Sequence, residues 1–166
     1  IPSGRINPVA TNLLALLPRP NINQNTQQNY LGTGKSPFRT DEVDERVDWN
    51  PTEKDKFFIL DSYMWSHLES PGVFGVVAGG PSIGGGNPAT TDTKNQLLSM
   101  NYTHTFGATL LGELRVGLAR FYLNEYQNDA SLETDNKVGI PGINDGTKIA
   151  GGLAGIGIDG PVGSWS

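Results

Sequence analysis

The chain has 166 residues, of which 36% are hydrophobic and 17% are charged, and its formal net charge is −5. This acidic balance, with the Lys and Arg residues scattered, argues against a nucleic-acid partner, because such partners require clustered cations. The absence of Cys excludes disulfides, zinc–thiolate sites and thiol nucleophiles, and the absence of any run of about 18 apolar residues excludes a membrane-spanning helix.

Residues 1–40 are predicted to form a loop segment with one short helix over about 8–17. Asn7 is the expected N-cap, Pro8 is the expected first helical residue, and Pro18 ends the pattern. The stretch that follows is rich in Asn, Gln and Gly. It is expected to be an exposed loop, because it offers too little apolar surface to bury.

From residue 41 to residue 125 the chain alternates apolar and polar side chains with the period of two that is typical of β-strands. Turn-forming residues predict tight connections at 50–55 and 106–109, whereas Gly and Pro predict a long loop at 69–92. Residues 126–166 are again loop-like and are interpreted as a truncated extracellular loop. The predicted strands, paired as two hairpins, span about 41–50, 56–68, 94–106 and 109–125.

Two properties of these strands predict a transmembrane β-barrel. Their length of about 10 to 14 residues exceeds the average of about five or six in globular proteins and meets the about nine to eleven of a tilted membrane strand. Their connections alternate between short and long, as in outer-membrane barrels. The predicted fold class is therefore all-β, with antiparallel hairpins forming part of a transmembrane β-barrel, a short N-terminal helix and long irregular loops.

Side-chain parity divides the strand residues between two faces. The aliphatic residues of one face are predicted to contact lipid: Leu98, Met100, Leu114, Val116 and Leu118. The aromatic residues fall beside the short turns or toward the long loops, which predicts two interfacial girdles. These girdle residues are Trp49, Phe57, Tyr63, Trp65, Tyr102, Phe106 and Tyr122.

Three charged residues on the predicted lipid face count against the membrane: Glu45, Asp61 and Arg120. An Arg at the bilayer centre costs about 2–4 kcal/mol, and an acid costs less. Arg120 falls near the outer rim, whereas Asp61 does not. On periodicity alone, a soluble antiparallel sheet with one wet face therefore stays open as an alternative.

Six short strings follow one another along the chain beside the predicted turns and loops. They span Leu17–Asn21, Asp44–Asp48, Lys54–Phe58, Tyr102–Phe106, Glu113–Gly117 and Gly139–Ile143. Together they resemble segments of TonB-dependent receptors. The particular group that they resemble is the Oar-like receptors, which carry a carboxypeptidase-regulatory-like domain before the plug.

This resemblance implies a bacterial outer-membrane barrel of about 22 strands closed around a plug. Uptake would be driven through TonB, by parts that the chain does not cover. The implied partners are outer-membrane lipid, the rest of the barrel and the plug of the same parent chain, TonB and an unknown solute. The chain starts at Ile1 without an initiator Met and stops in a glycine-rich run, so we expect an internal fragment of that barrel.

The charged residues of the second face are the candidates for lumen contacts. Three interpretations of these residues are open. They form a structural ladder of salt bridges with one another, they contact the plug, or they contact a passing solute. The ladder is the simplest of the three. Solute recognition is expected mainly from the long loops 69–92 and 126–166, because loops carry recognition on a rigid scaffold. The charged candidates are Asp44, Arg46, Asp48, Glu113 and Arg115.

No enzyme, metal site or cofactor is predicted. His67 and His104 are the only histidines and lack metal-ligand spacing, and no nucleophile elbow frames a Ser. The glycine runs follow no strand-to-helix pattern that would hold phosphate. Three segments could offer oxygen ligands to calcium, but the EF-hand spacing is missing and turn formation explains them more simply: Asp135–Asn136, Asn144–Gly146 and Asp159–Gly160.

Three functions remain open for such a chain. The first is an energised TonB-dependent receptor or transporter. The second is a passive porin-like or adhesion barrel of the outer membrane, which would have no plug. The third is a soluble cell-surface β domain, which would be monomeric in plain buffer.

Overall fold

The computed structural model describes residues 3–22, 29–84, 86–147, 150–157 and 164–165. The chain divides into two compact units. The strand unit consists of residues 38–67 and 92–124, and the loop unit consists of residues 1–37, 68–91 and 125–166. Within the described residues, no helix is long and apolar enough to cross a membrane.

Four strands form one antiparallel sheet in their sequence order, which confirms the predicted fold class. Two hairpins had been predicted; the structure also pairs the second strand with the third. The strands are longer than predicted because polar residues at their loop ends, such as Thr90 and Thr91, conceal the alternation that marks a strand. The bounds are β1 Phe38–Trp49, β2 Asp55–Ser70, β3 Ala89–Gly107 and β4 Leu110–Gln127.

The tight connections lie where turn chemistry predicted them. Between β1 and β2, the Thr52 hydroxyl oxygen accepts hydrogen bonds from the backbone N–H groups of Lys54 (3.1 Å) and Asp55 (3.0 Å). Such a side-chain bond closes the turn locally. Between β3 and β4, only Ala108 and Thr109 intervene.

The strand unit presents two faces, one largely apolar and one mixed. One face, called the Trp49 face, carries side chains that line a continuous apolar groove: Val47, Trp49, Phe57, Ile59, Met100, Tyr102, Leu114 and Val116. The other, called the Arg46 face, is mixed. Some of its polar side chains contact one another, and Arg46 lies 4.4 Å from the Phe58 ring centroid. Leu97 and Phe121 are exposed on this face. Strict alternation along four paired strands produces this division.

The loop unit contains a helix, α1, at Pro8–Leu16. As predicted from the sequence, Asn7 caps it: the Asn7 Oδ1 accepts from the Val9 N–H at 2.8 Å. A 3-10 turn at Ser3–Arg5 precedes the helix. The predicted loop after it falls partly on residues 23–28, which lie outside the described residues; residues 29–37 have no regular secondary structure.

Residues 126–166, predicted to be irregular, contain a short helix, α2, at Thr134–Val138 and two short paired strands, β5 Ile156–Gly157 and β6 Ser164–Trp165. Periodicity analysis misses elements this short, because they span about one repeat or less. The Asn12 side-chain amide of α1 donates to the Val138 carbonyl at 3.1 Å. Leu13, Leu16 and Leu17 pack against a buried cluster of Ala78, Val138 and Leu153.

Candidate functional site

An aromatic row crosses the Trp49 face beside the short turns. The Trp49 and Phe57 ring centroids are 5.4 Å apart, and those of Phe57 and Tyr102 are 4.4 Å apart and nearly parallel. Phe106 packs edge-on against His104 at 4.5 Å. The structure thus brings together four of the seven predicted girdle residues at one end of the strand unit, where their rings form a nearly continuous surface.

Four of the five aliphatic residues predicted to contact lipid are exposed. Leu114 is 62% exposed and Leu118 is 64% exposed, and Met100 and Val116 are also exposed. Leu98 is partly buried by its neighbours. Water-soluble monomers rarely expose large contiguous apolar surfaces. The exposed aliphatic residues of the Trp49 face are therefore suited to an apolar environment.

A polar cluster borders the aromatic row, and sequence reasoning missed it. The Asp55 Oδ1 lies 2.6 Å from His104 Nδ1 and accepts a hydrogen bond from the Tyr102 hydroxyl at 2.7 Å. Asp55 begins β2 and His104 lies near the end of β3, 49 residues later. Only the pairing of β2 with β3 therefore reveals the contact. With partners inside the sheet, His104 has a structural role in this cluster.

The charged candidates of the Arg46 face form ion pairs within single strands. Arg46 donates two hydrogen bonds to Asp48, each at 2.8 Å. Arg115 donates to Glu113 at 2.8 Å, and the Asn101 amide of β3 donates to the same carboxylate at 2.6 Å. The β1 and β4 pairs do not meet, because these strands occupy opposite edges of the sheet.

Asp44, the fifth candidate, is exposed, and no ion pair involves it within the described part of the chain. Each of the two ion pairs has one partner or both at least half exposed, so the pairs remain accessible to another molecule. Exposed pairs of this kind contribute little to stability. The Arg46 face thus carries accessible charges beside exposed apolar side chains such as Leu97 and Phe121.

Asp61, the charge that argued most strongly against the membrane, has a partner. Its carboxylate accepts a hydrogen bond from the Gln96 side-chain amide at 3.4 Å. Gln96, Lys94 and Arg120 follow on the Trp49 face toward the long loops. The apolar surface therefore ends near Leu98 and Leu118, and the longer observed strands continue beyond it with polar side chains.

The loop unit encloses a cavity of about 240 Å³ that both long loops line. Val76 and Asn87 come from the connection between β2 and β3, whereas Asp129, Leu153 and Gly155 come from the segment after β4. Its lining mixes polar and apolar atoms. The two segments predicted to carry recognition thus meet at one cavity.

Buried carboxylates hold the second loop in place. Asp129 accepts from the Leu153 N–H at 2.6 Å, and the fully buried Asp135 accepts from the Ala154 N–H at 3.0 Å. Gly152 has φ +89°, and a side chain there would collide with the Asp129 carboxylate. Burial raises the pKa of Asp129, and the Leu153 hydrogen bond opposes that increase. These contacts shape one wall of the cavity.

Residues 1–166 match in full the family model described as "Outer membrane beta barrel domain". The chain belongs to this outer-membrane β-barrel family. Membership confirms the predicted location in the bacterial outer membrane and the association of the barrel with its lipid, and it decides against the soluble cell-surface domain. No curated protein and no solved structure matches the barrel chain.

The family also accounts for the open edges of the sheet. β1 and β4 each have one unpaired side among the described strands. A closed outer-membrane barrel has at least about eight strands, and the described sheet has four. Within the described residues of the barrel, no three His, Asp or Glu side chains are grouped so that they could hold a metal ion.

Proposed function

We propose that this barrel segment belongs to an energised outer-membrane transporter whose long loops bind a solute before it enters the lumen. The observation that carries the proposal is the cavity lined by both long loops. A passive pore needs no such pocket, whereas a receptor must hold its solute long enough for energy to be applied.

In this proposal the Trp49 face contacts lipid and the Arg46 face lines the lumen. The first assignment follows from the exposed aliphatic surface and the aromatic row beside the short turns. The second follows from the polar alternation and the accessible ion pairs Arg46–Asp48 and Glu113–Arg115. These pairs are positioned to exchange partners with a plug or with a polar solute.

The energy source is proposed to be TonB, and this part rests on the resemblance of the short strings to Oar-like receptors. Those strings span both faces and both ends of the strands, with Lys54–Phe58 at a turn and Glu113–Gly117 within β4. A resemblance confined to the lipid-facing residues would reflect only the membrane environment that all outer-membrane barrels share. The proposal includes no catalytic step, metal or cofactor.

Conductance in a planar lipid bilayer tests this function without knowing the solute. The complete outer-membrane protein that carries this chain is purified and inserted, and the current is recorded in KCl. A plugged, energised receptor is expected to stay closed, and to bind the purified periplasmic domain of TonB. A steady open-channel current without TonB binding would contradict the proposal.

The second candidate is a passive porin-like barrel. The observation that favours it is the polar Arg46 face itself, since porin lumens carry the same alternation around a water-filled channel. The same recording discriminates the two, because a porin conducts without energy. Deletion of TonB would leave uptake by a porin unchanged and would abolish uptake by an energised receptor.

A further inference from the structure

The Trp49 face changes character two residues beyond its last aliphatic pair, Leu98 on β3 and Leu118 on β4. These two strands run side by side here, since a Cβ added to Gly117 would lie 3.9 Å from the Leu98 carbonyl oxygen. Toward the long loops, the next side chains of the same parity are Gln96 on β3 and Arg120 on β4. At about 3.3 Å per residue, they lie about 7 Å along the strands from the aliphatic pair.

At this level the face contains a shallow groove of about 310 Å³. Its lining is chemically selective, with two cations, two phenols and two amides but no acidic residue. The lining residues are Tyr63, Lys94, Asn95, Gln96, Arg120 and Tyr122. Three neighbouring strands contribute to it, so the sheet itself sets the spacing of the charges.

The two cations are free to bind an anion. Among the residues that the structure describes, neither Lys94 nor Arg120 forms an ion pair, and both are exposed. The six lining residues therefore carry net positive charge in a chain whose overall charge is −5. Two acids adjoin the groove: Asp61 accepts from Gln96, and Asp92 lies 2.7 Å from His67 Nδ1.

We infer that this groove binds the phosphate group of a lipid in the outer leaflet. The headgroup layer on each side of the hydrocarbon is about 5–8 Å thick, which matches the distance of about 7 Å between Arg120 and the aliphatic pair. Lys94 lies about 13 Å along β3 from Leu98, and its long side chain can reach back to the headgroups. Arg and Lys are the side chains that bind phosphate, through charge and hydrogen bonds. Tyr63 and Tyr122 flank them, and Tyr favours this interface.

The inference goes beyond transport and holds for an energised or a passive barrel. It requires that the Trp49 face contacts lipid and that the long loops lie outside the cell. Bound phosphate would offset the positive charge of Lys94 and Arg120 at the membrane interface, where lipid excludes part of the water. It would also fix the height of these strands in the membrane.

Native mass spectrometry of the complete protein tests the site. The protein is placed in nanodiscs of phosphatidylcholine with phosphatidic acid, and the ratio of the two retained lipids is measured. Lys94→Gln with Arg120→Gln is expected to lower the preference for phosphatidic acid by about fivefold per cation. Lys94→Arg with Arg120→Lys keeps the charge and is expected to retain the preference.

The matched control is Lys54→Gln with Lys56→Gln, which removes two positive charges from the opposite end of the strands. This control is expected to leave the ratio of the two retained lipids unchanged. An unchanged ratio in the Lys94 and Arg120 variant, or an equal loss in the control, would overturn the inference. Complete displacement of phosphatidic acid by millimolar inorganic phosphate would also overturn it, since the groove would then bind free anions.

Discussion

The Asn101 side-chain amide donates a hydrogen bond of 2.6 Å to the Glu113 carboxylate, joining β3 to β4 across the Arg46 face. Asn101 is buried, and its own oxygen accepts from the Thr103 hydroxyl at 3.1 Å. Glu113 also accepts from Arg115. One amide therefore links an accessible ion pair on β4 to the neighbouring strand.

Replacing this amide is expected to weaken the strand pair. Asn101→Ala removes the only side-chain link described between Asn101 and Glu113 and should lower the midpoint of denaturant unfolding of the complete protein in detergent micelles. Thr105→Ala is the control, since it lies on the same face and strand without a described side-chain bond. Equal midpoints for the two variants would mean that the amide does not couple the strands.

Adjacent positions on β3 test which face contacts lipid. Met100→Arg places a charge on the Trp49 face and is expected to lower the free energy of unfolding in lipid vesicles by about 2–4 kcal/mol. Ser99→Arg places the same charge one residue away on the Arg46 face and should cost much less. The reverse order would invert the proposed faces and would remove the basis for the lipid phosphate site.

Cysteine labelling on intact cells tests the orientation of the barrel, and the chain offers a background without Cys. Val76→Cys, in the long loop at the cavity, is expected to react with a membrane-impermeant maleimide. Glu53→Cys, in the turn between β1 and β2, should react only after the outer membrane is opened. Labelling of Glu53→Cys alone would place the long loops in the periplasm.

The raised pKa of Asp129 predicts a pH-dependent loop. The folded loop holds the Asp129 proton more tightly than the unfolded loop, so this residue contributes stability below its unfolded pKa, and the contribution is lost as pH rises through the raised value. Hydrogen exchange at the Leu153 amide, corrected for intrinsic rates, should therefore show greater protection in acid than at neutral pH. Asp129→Asn should remove this difference; persistence of the difference in that variant would assign it to another group.

Tryptophan fluorescence with depth-dependent quenchers tests the two girdles. Trp49 lies in the aromatic row at the short turns, and Trp65 lies toward the long loops with Arg39 5.6 Å from its ring. Difference spectra against Trp49→Phe and Trp65→Phe should give two interfacial depths, one in each leaflet. Indoles quenched mainly from water would contradict both girdle positions.

The amino-acid sequence by itself determined what depends on neighbours along the chain. The period of two separated Leu98, Met100, Leu114 and Val116 from Glu113 and Arg115, and turn residues located the tight connections. The Asn7 cap of α1 was equally local. The fold class followed, because alternation over long strands has few structural solutions.

Only the tertiary structure decided which side chains meet across strands and loops. Parity assigns a face but not a register, so the contacts of Asp55 with His104, Asp61 with Gln96 and Asn101 with Glu113 stayed hidden. The loop cavity and the groove at Lys94 and Arg120 were hidden for the same reason. Each requires strand pairing or burial to bring together residues that are far apart in sequence. A sequence pattern gives no distances between such residues.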